Sequence, residues 1–135
     1  MFKIYLAGAM TGLTKEQRNG WRVDVKRQLL QISSLKIINP CDYYDFDLID
    51  ANTTDKEIKE FDLYQVRTSD LILVDLTFPN SIGTAIELQV AFDNHIPIIA
   101  YGFPTEPIHP WIKETITKFC KTRKEAIEHI TQYYL

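Results

Sequence analysis

Asp70-Leu71-Ile72-Leu73-Val74-Asp75 is a short apolar run with an acid at each end and no polar alternation inside it. A strand that reads this way is buried on both faces, as strands of a parallel sheet are when helices cover each side. Other runs of the same kind surround it. Residues 2–7 are apolar and open into Gly8, Leu35-Lys36-Ile37-Ile38 is stopped by Asn39-Pro40, and residues 96–101 form the longest of the set. Phe119-Cys120 is the candidate for a last, short strand. Between these runs lie helical patterns. Thr14-Lys15-Glu16-Gln17 fits a capping box and leads into Trp21, Val25 and Leu29 on one helix face, with an end near Ile32. Thr54-Asp55-Lys56-Glu57 is a second box, opening a helix that should turn Ile58, Phe61 and Tyr64 inward and stop near Ser69. A third helix should run from about Thr84 to Asn94, a fourth from Trp111 to Thr117, and a fifth from Thr122, boxed by Glu125, to Tyr133. Strands alternating with helices predict an α/β fold. The expected form is a flavodoxin-like or Rossmann-like three-layer sandwich, with about five parallel strands and helices on both faces, in a single domain over 1–135.

Composition narrows the function classes. The chain has 135 residues, 45% hydrophobic and 24% charged, with a net charge of −3. That length can bury a core as one domain. No apolar run approaches a membrane span, and the first residues lack the apolar core of a signal peptide, so a cytoplasmic location is expected. Cys41 and Cys120 offer neither a disulfide framework nor a metal-binding spacing. His95, His109 and His129 are scattered without ligand spacing, so no metal is expected. The weak acidity argues against a nucleic-acid polymer as partner.

In an open parallel sheet, ligands bind beyond the carboxyl ends of the strands. That selects four segments: Gly8-Ala9-Met10-Thr11-Gly12, Asn39-Pro40-Cys41-Asp42, residues 75–87 and residues 102–111. The first has no G-x-G-x-x-G and no G-K-[ST], so a dinucleotide or an ATP-type phosphate finds no motif, and no cofactor is expected. Asp75 closes its strand and Glu87 follows in the next helix, both near the expected pocket. Asp70, counted along the same strand, falls at the opposite end. Each residue has a plainer reading too. Thr84-Ala85-Ile86-Glu87 fits a capping box, in which Glu87 would only satisfy a helix end. Asp70 and Asp75 could be solvated strand ends, Tyr5 a core aromatic, His109-Pro110-Trp111 a staple packing Trp111, and the acids between Asp42 and Asp50 a solvated loop.

Taken together, several stretches resemble the nucleoside 2-deoxyribosyltransferase family, whose relatives include the 2'-deoxynucleoside 5'-phosphate N-hydrolases. They are Tyr5-Leu6-Ala7-Gly8-Ala9-Met10-Thr11-Gly12, Trp21-Arg22, Asn39-Pro40, Ser69-Asp70 with the strand after it, Ser81-Ile82-Gly83-Thr84-Ala85-Ile86-Glu87-Leu88, and His109-Pro110-Trp111. The resemblance implies a set of roles. Glu87 would be the nucleophile that attacks C1' of the deoxyribose and forms a glycosyl ester, Asp70 the acid, and Tyr5 the group that orients Glu87. Gly8, Met10 and Thr11 would border sugar and base. Asn80 and Ser81 would hold the 5' end of the sugar, with Asp75 and Gly83 in the same substrate-binding set. Arg18 or Arg22 would be the only basic groups for a 5'-phosphate, which slightly favours a nucleoside over a nucleotide. The implied partners are a nucleoside or nucleotide, a free nucleobase, and further copies of the chain in a homodimer or larger homo-oligomer. No membrane is implied. Hydrolysis of the same bond is the runner-up, and a non-catalytic nucleotide-binding or sensing module is the alternative of another class.

Overall fold

Strand β1 (Lys3–Gly8) is buried along its whole length and pairs in parallel on both sides, with β2 (Lys36–Ile38) and with β3 (Leu71–Asp75). The sheet continues through β4 (Ile98–Tyr101) to β5 (Lys118–Cys120), all parallel, in the order β2-β1-β3-β4-β5. These relations come from a computed structural model that describes residues 1–44 and 53–135. The expected loop over the acids Asp42 to Asp50 therefore lies mostly outside the described residues. Its first part is a 3-10 turn at Pro40–Asp42, capped by the Asn39 side chain.

Side chains alternate across a strand, so one sheet feeds two cores. Ile4, Leu6, Leu71, Leu73 and Ile99 point to one face. There they meet Trp21, Val25 and Leu29 of α1 (Lys15–Ile32) and Ala126, Ile127 and Ile130 of α5 (Arg123–Tyr134). Tyr5, Ala7, Ile72, Val74, Ile98 and Ala100 point the other way. They meet Val66 of α2 (Asp55–Arg67), Leu88 and Ala91 of α3 (Ile82–Asp93) and Ile112 of α4 (Pro110–Lys113). Each fully buried Leu or Ile contributes about 1.5–3 kcal/mol of burial free energy. The expected α/β architecture of five parallel strands with helices on both faces is therefore the one observed.

Two helices depart from expectation in ways that matter for the site. In α2 the buried residues are Gln65 and Val66, while Tyr64 is 55% exposed. The inward stripe thus runs Ile58, Asp62, Val66 rather than Ile58, Phe61, Tyr64, and it carries an acid at its centre. Phe61 instead packs edge-on against Tyr43 and Tyr44. Helix α3 starts earlier than the pattern Thr84 to Glu87 suggests. Its N-cap is Ser81, whose side chain accepts from the Thr84 N–H at 3.5 Å. Thr84 is buried and its Oγ1 has no hydrogen-bond partner among the described residues. Glu87 lies in the second turn and is not a cap.

Moving the cap to Ser81 has a measurable consequence. Ser81→Ala is expected to cost about 0.5–1 kcal/mol in urea denaturation. Thr84→Val, which removes an unpartnered buried hydroxyl at constant shape, should be neutral or stabilising. The opposite ranking would restore Thr84 as the cap.

Candidate active site

Beyond the carboxyl ends of the strands, the described residues enclose a cleft of about 640 Å³. Three elements form it. The loop after β1 supplies Met10, Thr11, Gly12 and Leu13, α2 supplies Ile58, Lys59, Asp62 and Leu63, and α3 supplies Gly83, Ile86 and Glu87. Arg18 of α1 closes one wall. The loop can fold over because Gly12 takes φ +79°, a left-handed turn that glycine adopts without strain.

Tyr5 connects the sheet to this cleft. Its ring is fully buried in the core beneath α2 and α3, and its hydroxyl donates to Glu87 Oε2. A buried phenol needs a partner, and Glu87 supplies it. Burial raises the Tyr5 hydroxyl well above its ordinary range, and the Glu87 charge raises it further, so the phenol keeps its proton and acts as donor. Glu87 keeps part of its surface open to the cleft. Burial pushes its carboxyl up to about 7, the Tyr5 hydrogen bond lowers it, the Asp62 charge raises it and the Arg22 charge lowers it.

Asp62 stands across the cleft from Glu87. Burial pushes its carboxyl up to about 6, against a lowering effect of Arg22. Its Oδ1 is buried and has no hydrogen-bond partner among the described residues. A carboxylate in such surroundings readily holds a proton, and one with an orphaned oxygen is set to pass it to a bound molecule. The sequence analysis did not single out Asp62. The signal was there: an acid at i+4 from Ile58 and i−4 from Val66, on the face that a buried helix should keep apolar.

The expected site residues divide clearly. Met10, Thr11, Gly83 and Glu87 line the cleft, with Tyr5 beneath it. Gly8 sits under the loop. A Cβ there would come within 2.8 Å of the Trp21 ring and 3.4 Å of the Arg22 guanidinium, so Gly8 serves close packing. Asp75 faces the other side of the sheet, into a smaller hollow of about 250 Å³ with Trp21, Thr77 and Arg123, and it accepts from the Thr77 N–H at 2.9 Å. Ser81 caps α3, and Asn80 ties two loops together, donating to Pro107 O at 3.0 Å and accepting from His109 N at 2.9 Å. Neither lines the cleft. Asp70 corrects an expectation outright. It precedes β3 at the amino end of the sheet, where its carboxylate accepts from the Lys3 N–H at 2.9 Å, and a parallel strand cannot bring that end to the cleft. His109 caps α4, but Trp111 is 81% exposed, so it is not packed as a staple. Arg22 is wholly buried and held by backbone carbonyls, which leaves Arg18 as the arginine at the cleft.

Among the described residues no group of three or more His, Cys, Asp or Glu is placed to hold a metal ion, and no helix is long and apolar enough to cross a membrane. Three solved structures share the fold. A conserved protein from Enterococcus faecalis V583 superposes with a TM-score of 0.82 at 19% identity, covering 98% of each chain. The 2-desoxiribosyltransferase from Leishmania mexicana gives 0.70 at 16% identity over 100% of each chain. The CMP N-glycosidase BcmB from Clostridium botulinum gives 0.64 at 16% identity, over 97% of this chain and 98% of its own. No curated protein matches. Residues 4–128 match the family model described as Nucleoside 2-deoxyribosyltransferase, and the chain belongs to that family.

Proposed function

We propose that the protein transfers a 2-deoxyribosyl group between nucleobases through a covalent ester on Glu87. The observation that carries this reading is the pairing of two unlike carboxyl groups in one cleft: Glu87 held by the Tyr5 hydroxyl, and Asp62 with an orphaned oxygen. Glu87 attacks C1' of the sugar. The C1'–N bond breaks, its electron pair goes to the base, and the Asp62 carboxyl supplies the proton. A second base then attacks C1', the ester C–O bond breaks, the Glu87 carboxylate is restored, and the incoming N–H returns its proton to Asp62. The transition state resembles an oxocarbenium ion, which a carboxylate beneath the ring stabilises. Tyr5 orients Glu87 and leaves one of its oxygens for the attack. Met10, Thr11 and Gly83 border the substrate, and Asp62 takes the role that the resemblance gave to Asp70. No metal or bound cofactor enters these steps.

The rim supports a homo-oligomer as part of the same reading. Ile82 of α3 is 80% exposed beside the cleft residues Gly83 and Ile86, and Trp111 and Phe103 are 81% and 77% exposed. A large apolar residue left exposed beside a cleft, as Ile82 is, fits a surface that another chain covers. A second copy seated there would close the cleft and bury Ile82. Light scattering should report a dimer or larger species, which Ile82→Asp dissociates. A monomeric wild-type protein at micromolar concentration would refute this part.

The chemistry is tested by incubating the protein with deoxynucleosides and their 5'-monophosphates, with and without a second base, and separating the products. Transfer requires a new nucleoside that appears only with the acceptor base. Free base without acceptor means hydrolysis, and saturable binding without product means a binding module. Glu87→Ala should lower turnover by at least ~10³-fold and abolish the deoxyribosyl mass adduct on the protein.

The pH dependence has a definite sign. Glu87 must be ionised to attack, so activity rises as the pH climbs through about 7. Asp62 must be protonated to donate, so activity falls as the pH climbs through about 6. The pair shares one proton between these values, which predicts a narrow bell in kcat/KM whose limbs belong to the pair. Asp62→Asn should remove the alkaline limb and lower turnover most for bases that are poor leaving groups. A flat profile between about pH 5 and about pH 8 would exclude this acid–nucleophile assignment.

A further inference from the structure

One face of α2 lines the cleft, and its residues follow helical spacing: Asp55, Ile58, Lys59, Asp62 and Leu63. Asp62 lies at the inner end of this row, half-buried, and Lys59 lies one turn outward, exposed. Residues three apart on a helix hold their Cβ atoms about 5–6 Å from each other, so the ammonium and the carboxyl can meet one bound molecule at two points. The walls beside them are apolar: Ile58 and Leu63 on α2, Met10 and Ile86 across the cleft. Apolar walls with two polar contacts suit a flat heterocycle better than a sugar, whose hydroxyls would need partners there.

Lys59 makes no ion pair and no side-chain hydrogen bond among the described residues. Asp55 sits one turn further out, four positions away, yet does not pair with it. Lys56, which does not line the cleft, pairs with Glu60 at 3.8 Å. Lys59 is therefore a cation that faces the cleft with its donors uncommitted. An ammonium carries three N–H donors and no acceptor. It pairs with an exocyclic carbonyl oxygen of a base, and it has nothing to offer an exocyclic amino group, which also only donates. Facing donors select by mismatch as well as by attraction.

We propose that Lys59 is a specificity-determining residue, which selects nucleobases with an exocyclic oxo group over those with an amino group at the same ring carbon. The proposal rests on the deoxyribosyl reading given above, with the base lying against α2. As the C1'–N bond breaks, its electron pair spreads through the base and onto the oxo oxygen. The Lys59 ammonium donates a hydrogen bond to that oxygen and keeps its proton, while the proton that neutralises the base still comes from Asp62. An amino group in the same place sets N–H against N–H and leaves the cation without an acceptor.

Two substrate pairs exchange oxo for amino at one ring carbon: deoxyuridine against deoxycytidine, and deoxyinosine against deoxyadenosine. In at least one pair the wild-type protein should favour the oxo member by roughly tenfold or more in kcat/KM. Lys59→Met should bring that ratio to within about twofold of unity, through loss of the oxo substrate. Lys59→Arg keeps charge and donors and should retain the preference. Lys56→Met, the control outside the cleft, should leave the ratio as it is. A wild-type ratio near unity or favouring the amino member overturns the proposal, and so does a preference that survives in Lys59→Met. Binding of the free bases, uracil against cytosine and hypoxanthine against adenine, is measured by calorimetry in parallel. If no nucleoside yields product, but an oxo base binds roughly tenfold tighter than its amino counterpart and Lys59→Met erases the difference, the deoxyribosyl reading falls and base selection by Lys59 stands. Equal binding of both bases, with no product, overturns both.

Discussion

A phenol buried without water must donate to something, and this one donates to a carboxylate. The Tyr5–Glu87 hydrogen bond joins β1, a strand paired on both sides, to the second turn of α3. It exists because β1 is buried on both faces and alternates strictly. Ile4 and Leu6 serve the core under α1 and α5, which commits Tyr5 to the core under α2 and α3. Shifting the strand by one residue would send the phenol to the wrong side and leave Glu87 facing only hydrocarbon. The register of one buried strand therefore decides whether the cleft has an oriented carboxyl group.

The same strand supplies the electrostatics. Its last carbonyls, those of Leu6 and Gly8, accept from the Arg22 guanidinium. Gly8 makes this approach possible, since any side chain there would strike Trp21. Through Tyr5 and these carbonyls, β1 thus touches both the cleft carboxyl group on α3 and the buried cation on α1. This is the compact solution available to a parallel sheet, which presents all its carboxyl ends on one side.

Much of the fold was legible in the sequence because it is written in burial. Continuous apolar runs such as the one at Leu71–Asp75 mean two covered faces, and the box at Thr14 and Gln17 forms as read, with both reciprocal hydrogen bonds. The cleft itself was legible in its position: Glu87, Met10 and Thr11 line it as expected, with Tyr5 beneath. It was not legible where it depends on helix phase. Tyr64 looks like a core residue by type, yet α2 is rotated so that Val66 takes the core and Asp62 the cleft. Ser81 and Thr84 are both fit to cap, and only the path of the preceding loop decides between them. Asp70 and Asp75 are interchangeable as letters at two ends of one run, but strand direction sends them to opposite poles of the molecule.

The raised carboxyl of Glu87 also bears on how such a domain can change over generations. A group that holds its proton more tightly folded than unfolded drains stability as the pH climbs from its ordinary value of 4.5 to about 7. At neutral pH the chain bears that cost with a carboxyl group kept in the cleft. Replacing Glu87 by glutamine would cancel it while keeping an acceptor for the Tyr5 hydroxyl and leaving the sheet, the cleft and most of its lining intact. On the proposed function, loss of turnover is then a downhill step for the fold, and a lineage released from selection for it would drift toward a sturdier domain that keeps the cleft.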